Sequence, residues 1–168
     1  MIRAITMSCL AAALAVAAID ARAAQLEQVV YTKTPSELKG YLCRPSGAGP
    51  FPAALFNHGG WARIIGGAPK ETCQALADAG FVGFAPIRRE VESMAGQSDD
   101  VQAGLDYLRG RVDVDRDRIA MIGFSRGGAL TFMAAAQGVP IKAAVIMASA
   151  APPAQSGFNI ADAGKIRV

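Results

Sequence analysis

The chain has 168 residues, 52% of them hydrophobic and 18% charged, which is enough for one well-buried core and too little for two. Its net charge of +3 comes from interspersed residues of both signs with no basic run, which argues against a nucleic-acid partner. One His and three Cys, at positions 9, 43 and 73, without C-x-x-C or paired-His spacing, give no expected metal site and imply no cofactor.

In chain order, Met1-Ile2-Arg3 is a short basic start and residues 4–19 are apolar or small. Ala21-Arg22-Ala23 then places small residues where a signal peptidase reads them. The apolar run is about 16 residues, short of the roughly 20 a membrane-spanning helix needs, so an anchor or a buried first helix is the weaker reading. Residues 1–23 are expected to be a signal peptide, residues 24–168 the folded domain, and the product exported to the periplasm or medium with no membrane attachment. Cys9 lacks the flanks of a lipoprotein cysteine and leaves with the signal. Cys43 and Cys73 would then meet an oxidising compartment, where thiols pair. Nothing in their positions brings their Cα atoms together, so two buried small hydrophobes is the favoured reading, with pairing left open.

Leu26, Val29, Val30 and Tyr31, then Leu38, Tyr41 and Leu42 across a polar turn near Pro35-Ser36, predict an antiparallel hairpin. Ala53-Ala54-Leu55-Phe56 is a short apolar run stopping at Asn57-His58-Gly59-Gly60, which reads as a strand buried on both faces. Residues 69–79 form a helix ending at Gly80. Phe81 to Ala85 is a second buried strand. Residues 98–111 form a helix with Ser98-Asp99-Asp100 as its cap. Ile119 to Ile122 is a strand, Arg126 to Gln137 a helix, and Ala143 to Met147 a strand whose apolar sequence fits burial on both faces. Alternation at these lengths predicts a mostly parallel sheet covered by helices on both sides.

Between the strand at 119–122 and the helix from Arg126 lies Gly123-Phe124-Ser125-Arg126-Gly127, a G-x-S-x-G arrangement. A strand-to-helix turn forces the central serine into a strained backbone conformation, which small residues two positions to either side permit. Together with Phe51-Pro-Ala-Ala-Leu-Phe-Asn-His-Gly-Gly60, Gly80-Phe-Val-Gly-Phe-Ala-Pro86 followed by Arg88-Arg89, and Asp115 to Gly128, this resembles the α/β-hydrolase superfamily. Within it the likeness is to the dienelactone hydrolase-like branch, with some likeness to the prolyl oligopeptidase group, and it runs from about Gly40 onward.

The resemblance implies an α/β fold with a three-layer α/β/α sheet and a serine nucleophile, Ser125. It implies an oxyanion hole made by the backbone N–H groups of Arg126 and, in preference to Trp61, Gly60. In the family the catalytic acid and then His follow the serine. Here no His follows Ser125, and the one acid that does, Asp162, precedes a segment that normally leads into the next strand. The sequence is therefore expected to stop before the last strands, with the triad acid and base not in the chain. His58, the sole imidazole, is read as orienting the glycine loop in preference to serving as a substitute base. Trp61 divides evenly between lining an acyl pocket and covering the core. Arg88 and Arg89 read as solvated or salt-bridged more readily than as ligands for a substrate carboxylate. Asp113, Asp115 and Asp117 read as a polar turn, since the glycine and glutamate of a calcium loop are absent.

The expected function is a serine hydrolase acting on a small-molecule carboxylic ester, lactone or similar acyl substrate, poorly active alone for want of a base. A serine peptidase of the prolyl oligopeptidase type, or a truncated non-catalytic paralogue, are the alternatives. An exposed apolar strand at 143–147 would be a template for self-association.

Overall fold

The computed structural model describes residues 25–60, 64–91 and 94–151. The expected signal segment, Trp61, Asp162 and residues 164–168 lie outside the described residues. In order the elements are β1 (Gln25–Thr32), β2 (Leu38–Arg44), β3 (Phe51–Asn57), α1 (Pro69–Asp78), β4 (Val82–Pro86), α2 (Met94–Arg109), β5 (Val114–Phe124), α3 (Arg126–Ala136) and β6 (Ala143–Met147). The sheet order is β1-β2-β4-β3-β5-β6. The β1–β2 and β2–β4 pairs are antiparallel, and β4–β3, β3–β5 and β5–β6 are parallel.

The core divides by sheet face. α1 packs on β2, β3 and β4, closing a cluster of Cys43, Phe56, Cys73, Ala77 and Ala85. On the opposite face α2 and α3 cover the larger cluster around Leu55, Phe84, Leu105, Met121 and Leu130. Strands β3 and β4 present apolar side chains to both clusters, which is why their sequences run apolar without alternation. Fully burying one Leu or Phe contributes roughly 2–3 kcal/mol, so these two layers hold most of the driving force for folding.

Helix ends follow the sequence closely where glycine sets them. Pro69 occupies the first turn of α1, where its missing N–H costs nothing. At the other end Gly80, with φ 88°, donates to the Ala77 carbonyl and Phe81 to that of Leu76, the paired bonds of a Schellman motif. Gly138 and Val139 close α3 with the same pair of bonds.

Three expectations need correction. α2 begins at Met94, four residues before the expected cap: Ser98 Oγ bonds back to the Met94 carbonyl at 3.2 Å inside the helix. Asp100 caps nothing; its carboxylate is buried against Arg89, accepting from the Arg89 backbone N–H and Nε, each at 2.8 Å. β5 starts at Val114, before the expected Ile119, because Val114 pairs with Phe51 across an irregularity in the β3 register, and so Asp115 and Asp117 lie in the strand. β6 is the outermost strand of the described sheet, and Val145, Ile146 and Met147 are 47%, 40% and 40% exposed, so its apolar sequence is not buried on both faces.

The favoured reading of the cysteines also fails. Cys43 on β2 and Cys73 on α1 form a disulfide with Cα atoms 5.6 Å apart. Both are fully buried, as expected of small hydrophobes, but α1 lies directly over β2 and brings them together. Their separation of 30 residues gives the bond a loop-closure contribution of roughly 3–4 kcal/mol. A non-reducing peptide map is expected to recover Cys43 linked to Cys73, and Cys43→Ala/Cys73→Ala to unfold at lower denaturant by about 3 kcal/mol of stability.

Candidate active site

The site forms where two neighbouring parallel strands end. Asn57, the last residue of β3, lies in register with Gly123 of β5, so the segment after β3 and the turn after β5 emerge side by side. Their helices, α1 and α3, depart to opposite faces of the sheet, which opens a crevice at the strand ends.

In the turn, Ser125 takes φ 53° and ψ −117°, a conformation that costs a non-glycine residue about 1–3 kcal/mol. Its neighbours hold it there. A Cβ on Gly123 would lie 2.3 Å from the Gly127 carbonyl oxygen, and one on Gly127 would lie 2.0 Å from the Asn57 carbonyl oxygen. Only glycine at these two positions allows the turn to close on itself and on β3. The Ser125 N–H donates to the Met147 carbonyl at 2.9 Å, and its own carbonyl accepts from Ala150 at 3.1 Å, so the chain leaving β6 also fixes the turn. Ser125 is half-buried. Arg126 opens α3, where first-turn N–H groups have no intrahelical acceptor and the helix dipole favours negative charge.

The facing loop is built from His58, Gly59 and Gly60. Gly59 and Gly66 exchange backbone bonds at 2.9 and 3.1 Å, folding the loop into a narrow bridge. Gly59 sits hard against the serine turn: a Cβ there would approach Ser125 Cβ to 3.2 Å. Gly60 has φ 111°, and a Cβ on it would strike the Ile64 carbonyl oxygen, so no other residue keeps this loop shape.

His58 is buried and engaged through both ring nitrogens. Nδ1–H donates to the Gly59 carbonyl at 2.6 Å, and Nε2 accepts from the Arg88 backbone N–H at 3.3 Å. This fixes the Nδ1-protonated tautomer. Burial, and after it the Arg88 charge, push the imidazole down to about 4, against the smaller opposing pull of its bond to the Gly59 carbonyl. A ring whose Nδ1–H is given to the Gly59 carbonyl and whose Nε2 is taken by the Arg88 N–H has no lone pair to offer Ser125.

Arg88, expected to be solvated or salt-bridged, is buried and makes no ion pair among the described residues. It is 4% exposed, and its Nη2 donates to the His58 carbonyl at 2.6 Å. Burial lowers it to about 10, so it stays charged at neutral pH. Arg89 does form the expected ion pair, with Asp100. One participant escapes sequence reading altogether. Gln97 of α2 accepts from Arg126 Nε at 2.8 Å and donates to the Arg89 carbonyl at 3.1 Å, tying the serine turn to the segment after β4. An amide in an amphipathic helix carries no signal for such a role. A cleft of about 730 Å³ opens beside the loop, with His58, Gly60, Ile64, Ile87, Arg88 and Gln97 among its lining residues.

A strained serine turn after a central parallel strand, faced by a glycine loop from the adjacent strand, is the architecture of an α/β-hydrolase fold. Comparison with known proteins agrees. The profile of the prolyl oligopeptidase family matches residues 92–152. The Bacillus subtilis "Uncharacterized peptidase YtmA" is 30% identical over 118 residues, covering 66% of this chain and 46% of the relative. A dienelactone hydrolase-like promiscuous phosphotriesterase from metagenomic libraries is 26% identical with a TM-score of 0.72, covering 86% of this chain and 66% of that one. An esterase from the Planctomycetes species Thermogutta terrifontis is 25% identical with a TM-score of 0.55, covering 66% and 43% respectively. The chain has the α/β-hydrolase fold and is similar both to dienelactone hydrolase-like enzymes and to the prolyl oligopeptidase family. It spans about half the length of the curated relative it matches and 66% of the metagenomic enzyme.

The position of His58 predicts a pH dependence. Its imidazole titrates near 6.5 when unfolded and at about 4 when folded, so the unfolded chain takes up the proton first. Stability is complete above pH 6.5, falls between about 6.5 and 4 by roughly 3 kcal/mol, and gains no further loss from this group below that. Urea unfolding across this range is expected to show that slope in the wild type and to lose it in His58→Gln, whose stability is lower throughout.

Proposed function

We propose that this chain supplies the nucleophile and oxyanion donors of a serine hydrolase acting on a carboxylic ester, lactone or similar small acyl compound. The observation that carries the reading is the backbone of Ser125, strained at φ 53° and held there by two glycines that no other residue can replace. Strain of this kind persists in a fold only where the surroundings over-determine it, and a serine held so at a strand-to-helix turn is placed to present its hydroxyl at the end of the sheet.

In the proposed reaction Ser125 Oγ attacks the acyl carbon and gives its proton to a base, while the carbonyl electrons move onto oxygen. The backbone N–H groups of Arg126 and Gly60 receive that oxyanion, each contributing about 3 kcal/mol to lowering the barrier. Collapse of the tetrahedral intermediate breaks the bond to the leaving oxygen, which takes a proton, and leaves acyl-Ser125. Water then attacks the acyl carbon and releases the acid. The base is the difficulty: His58 is the one histidine of the sequence, and its ring nitrogens are taken by the Gly59 carbonyl and the Arg88 N–H. We therefore place the triad acid and base outside these 168 residues, and slow turnover by this chain alone follows. Peptide-bond cleavage is the second reading, favoured by the prolyl oligopeptidase match over residues 92–152; a non-catalytic paralogue that only binds acyl ligands would leave Ser125 unreactive.

Export is proposed from the basic start, apolar run and Ala21-Arg22-Ala23, and the Cys43–Cys73 disulfide supports it, since such bonds persist in oxidising compartments. Self-association through the exposed apolar side chains of β6 is proposed on the same footing, and light scattering after size exclusion reads it directly.

The chain is expected to react slowly but stoichiometrically with a fluorophosphonate at Ser125, to lose that reaction in Ser125→Ala, and to hydrolyse p-nitrophenyl acetate far below the rate of complete serine hydrolases. Absence of labelling at Ser125 would sink the reading. Fast hydrolysis abolished by Ser125→Ala would overturn the placement of the base.

A further inference from the structure

The loop that presents Gly60 is not held by its own sequence alone. Two glycines in succession are the least conformationally restrained pair a chain can carry, and a donor that must meet an oxyanion has to be fixed before the substrate arrives. The bridge to Gly66 fixes the far side of the loop. Its near side is fixed by a residue 30 positions along the sequence, after β4. Arg88 donates two hydrogen bonds to His58, from its main-chain N–H to Nε2 at 3.3 Å and from its guanidinium Nη2 to the main-chain carbonyl at 2.6 Å, and Nη2 also lies 3.4 Å from the protonated Nδ1. His58 in turn grips the Gly59 carbonyl through Nδ1–H at 2.6 Å. The peptide units on both sides of Gly59 are thereby clamped from one direction.

We propose that Arg88 is the positioning residue of the oxyanion loop, acting through His58 to hold the Gly60 N–H where the developing charge will appear. The inference rests on the serine-hydrolase reading above. Its burial is otherwise hard to account for. Nε and Nη1 of the same guanidinium are buried without a hydrogen-bond partner among the described residues, and a guanidinium placed so is a net cost to folding. An apolar side chain would fill that space more cheaply, but it would leave the His58 carbonyl without its donor. A lysine is no substitute, because a point charge on a flexible stem does not reproduce the planar fork that fixes the direction of the bond. The clamp also reaches the other donor: Gln97 bonds the Arg89 carbonyl on one side and Arg126 Nε on the other, so the segment carrying Arg88 and the residue carrying the second oxyanion N–H share one side chain.

The test uses the full chain and two readouts. Arg88→Met is expected to lower the rate constant for Ser125 phosphonylation at saturating fluorophosphonate by about 100-fold, the scale of losing one oxyanion donor, with little change in the half-saturating concentration. Millimolar guanidinium ion is expected to restore part of that rate, and Arg88→Lys to restore little. Hydrogen exchange at the Gly59 and Gly66 amides should accelerate in Arg88→Met while that of Ile119 to Ile122 in β5 stays as in the wild type. An unchanged rate constant would overturn the proposal, and so would a loss accompanied by faster exchange throughout β5, which marks general destabilisation. If Arg88→Met does not fold, Arg88→Lys takes its place in both readouts. If wild-type Ser125 is not labelled at all, the serine-hydrolase reading fails, and exchange at Gly59 and Gly66 alone then decides whether Arg88 holds the loop.

Discussion

Everything at the site depends on one close approach of backbone to backbone. The Asn57 carbonyl at the end of β3 reaches within contact of Gly127, two residues past Ser125, at a distance that leaves no room for a methyl group. Asn57 and Gly123 share a register position in adjacent parallel strands, and the approach follows from that pairing. Any side chain at 127 would lever the serine turn away from the glycine loop and separate the two proposed oxyanion donors. The sheet register and the site geometry are therefore one constraint, and the apolar layers on both faces serve to keep β3 and β5 in step.

Beside this backbone contact the polar groups form a second, thinner layer of control. Asn57 Nδ2 donates to Thr131 of α3 at 2.9 Å in the interior, joining the end of β3 to the helix behind the serine. Gln97 reaches from α2 to Arg126, and the Arg88–His58 contacts hold the loop. These bonds join four elements that the hydrophobic effect, being non-directional, would pack against one another without specifying how the loops meet.

Much of this was legible in the sequence and some was not, for identifiable reasons. The strands at 53–56 and 82–85 were readable because burial on both faces leaves an uninterrupted apolar run, and the helix ends at Gly80 and Gly138 because few residues other than glycine close a Schellman motif. The serine turn was readable because its steric demands fall on residues two positions away. Ser98-Asp99-Asp100 misled because a capping carboxylate and one that grips a distant arginine have the same local sequence; the partner, Arg89, is fixed only in three dimensions. The apolar run of β6 predicted burial because composition says nothing about which strand lies outermost. The disulfide was hidden for a related reason: Cys43 and Cys73 meet between layers, and no periodicity along the chain records which helix covers which strand.

That disulfide has a topological effect distinct from its stabilising one. Joining Cys43 to Cys73 encloses β3, His58, Gly59, Gly60 and the start of α1 within one covalent ring, while Ser125 and Arg88 stand outside it. Fluctuations that lift α1 from the sheet must carry β2 with them, so the glycine loop, the proposed carrier of one oxyanion donor, cannot loosen by fraying of its own helix. The serine turn has no such tether and is kept in place by noncovalent bonds to Met147 and Ala150. The two halves of the site thus differ in kind: one moves only as a closed loop, the other as an open chain, and relative motion between them is governed by the side that is free to yield.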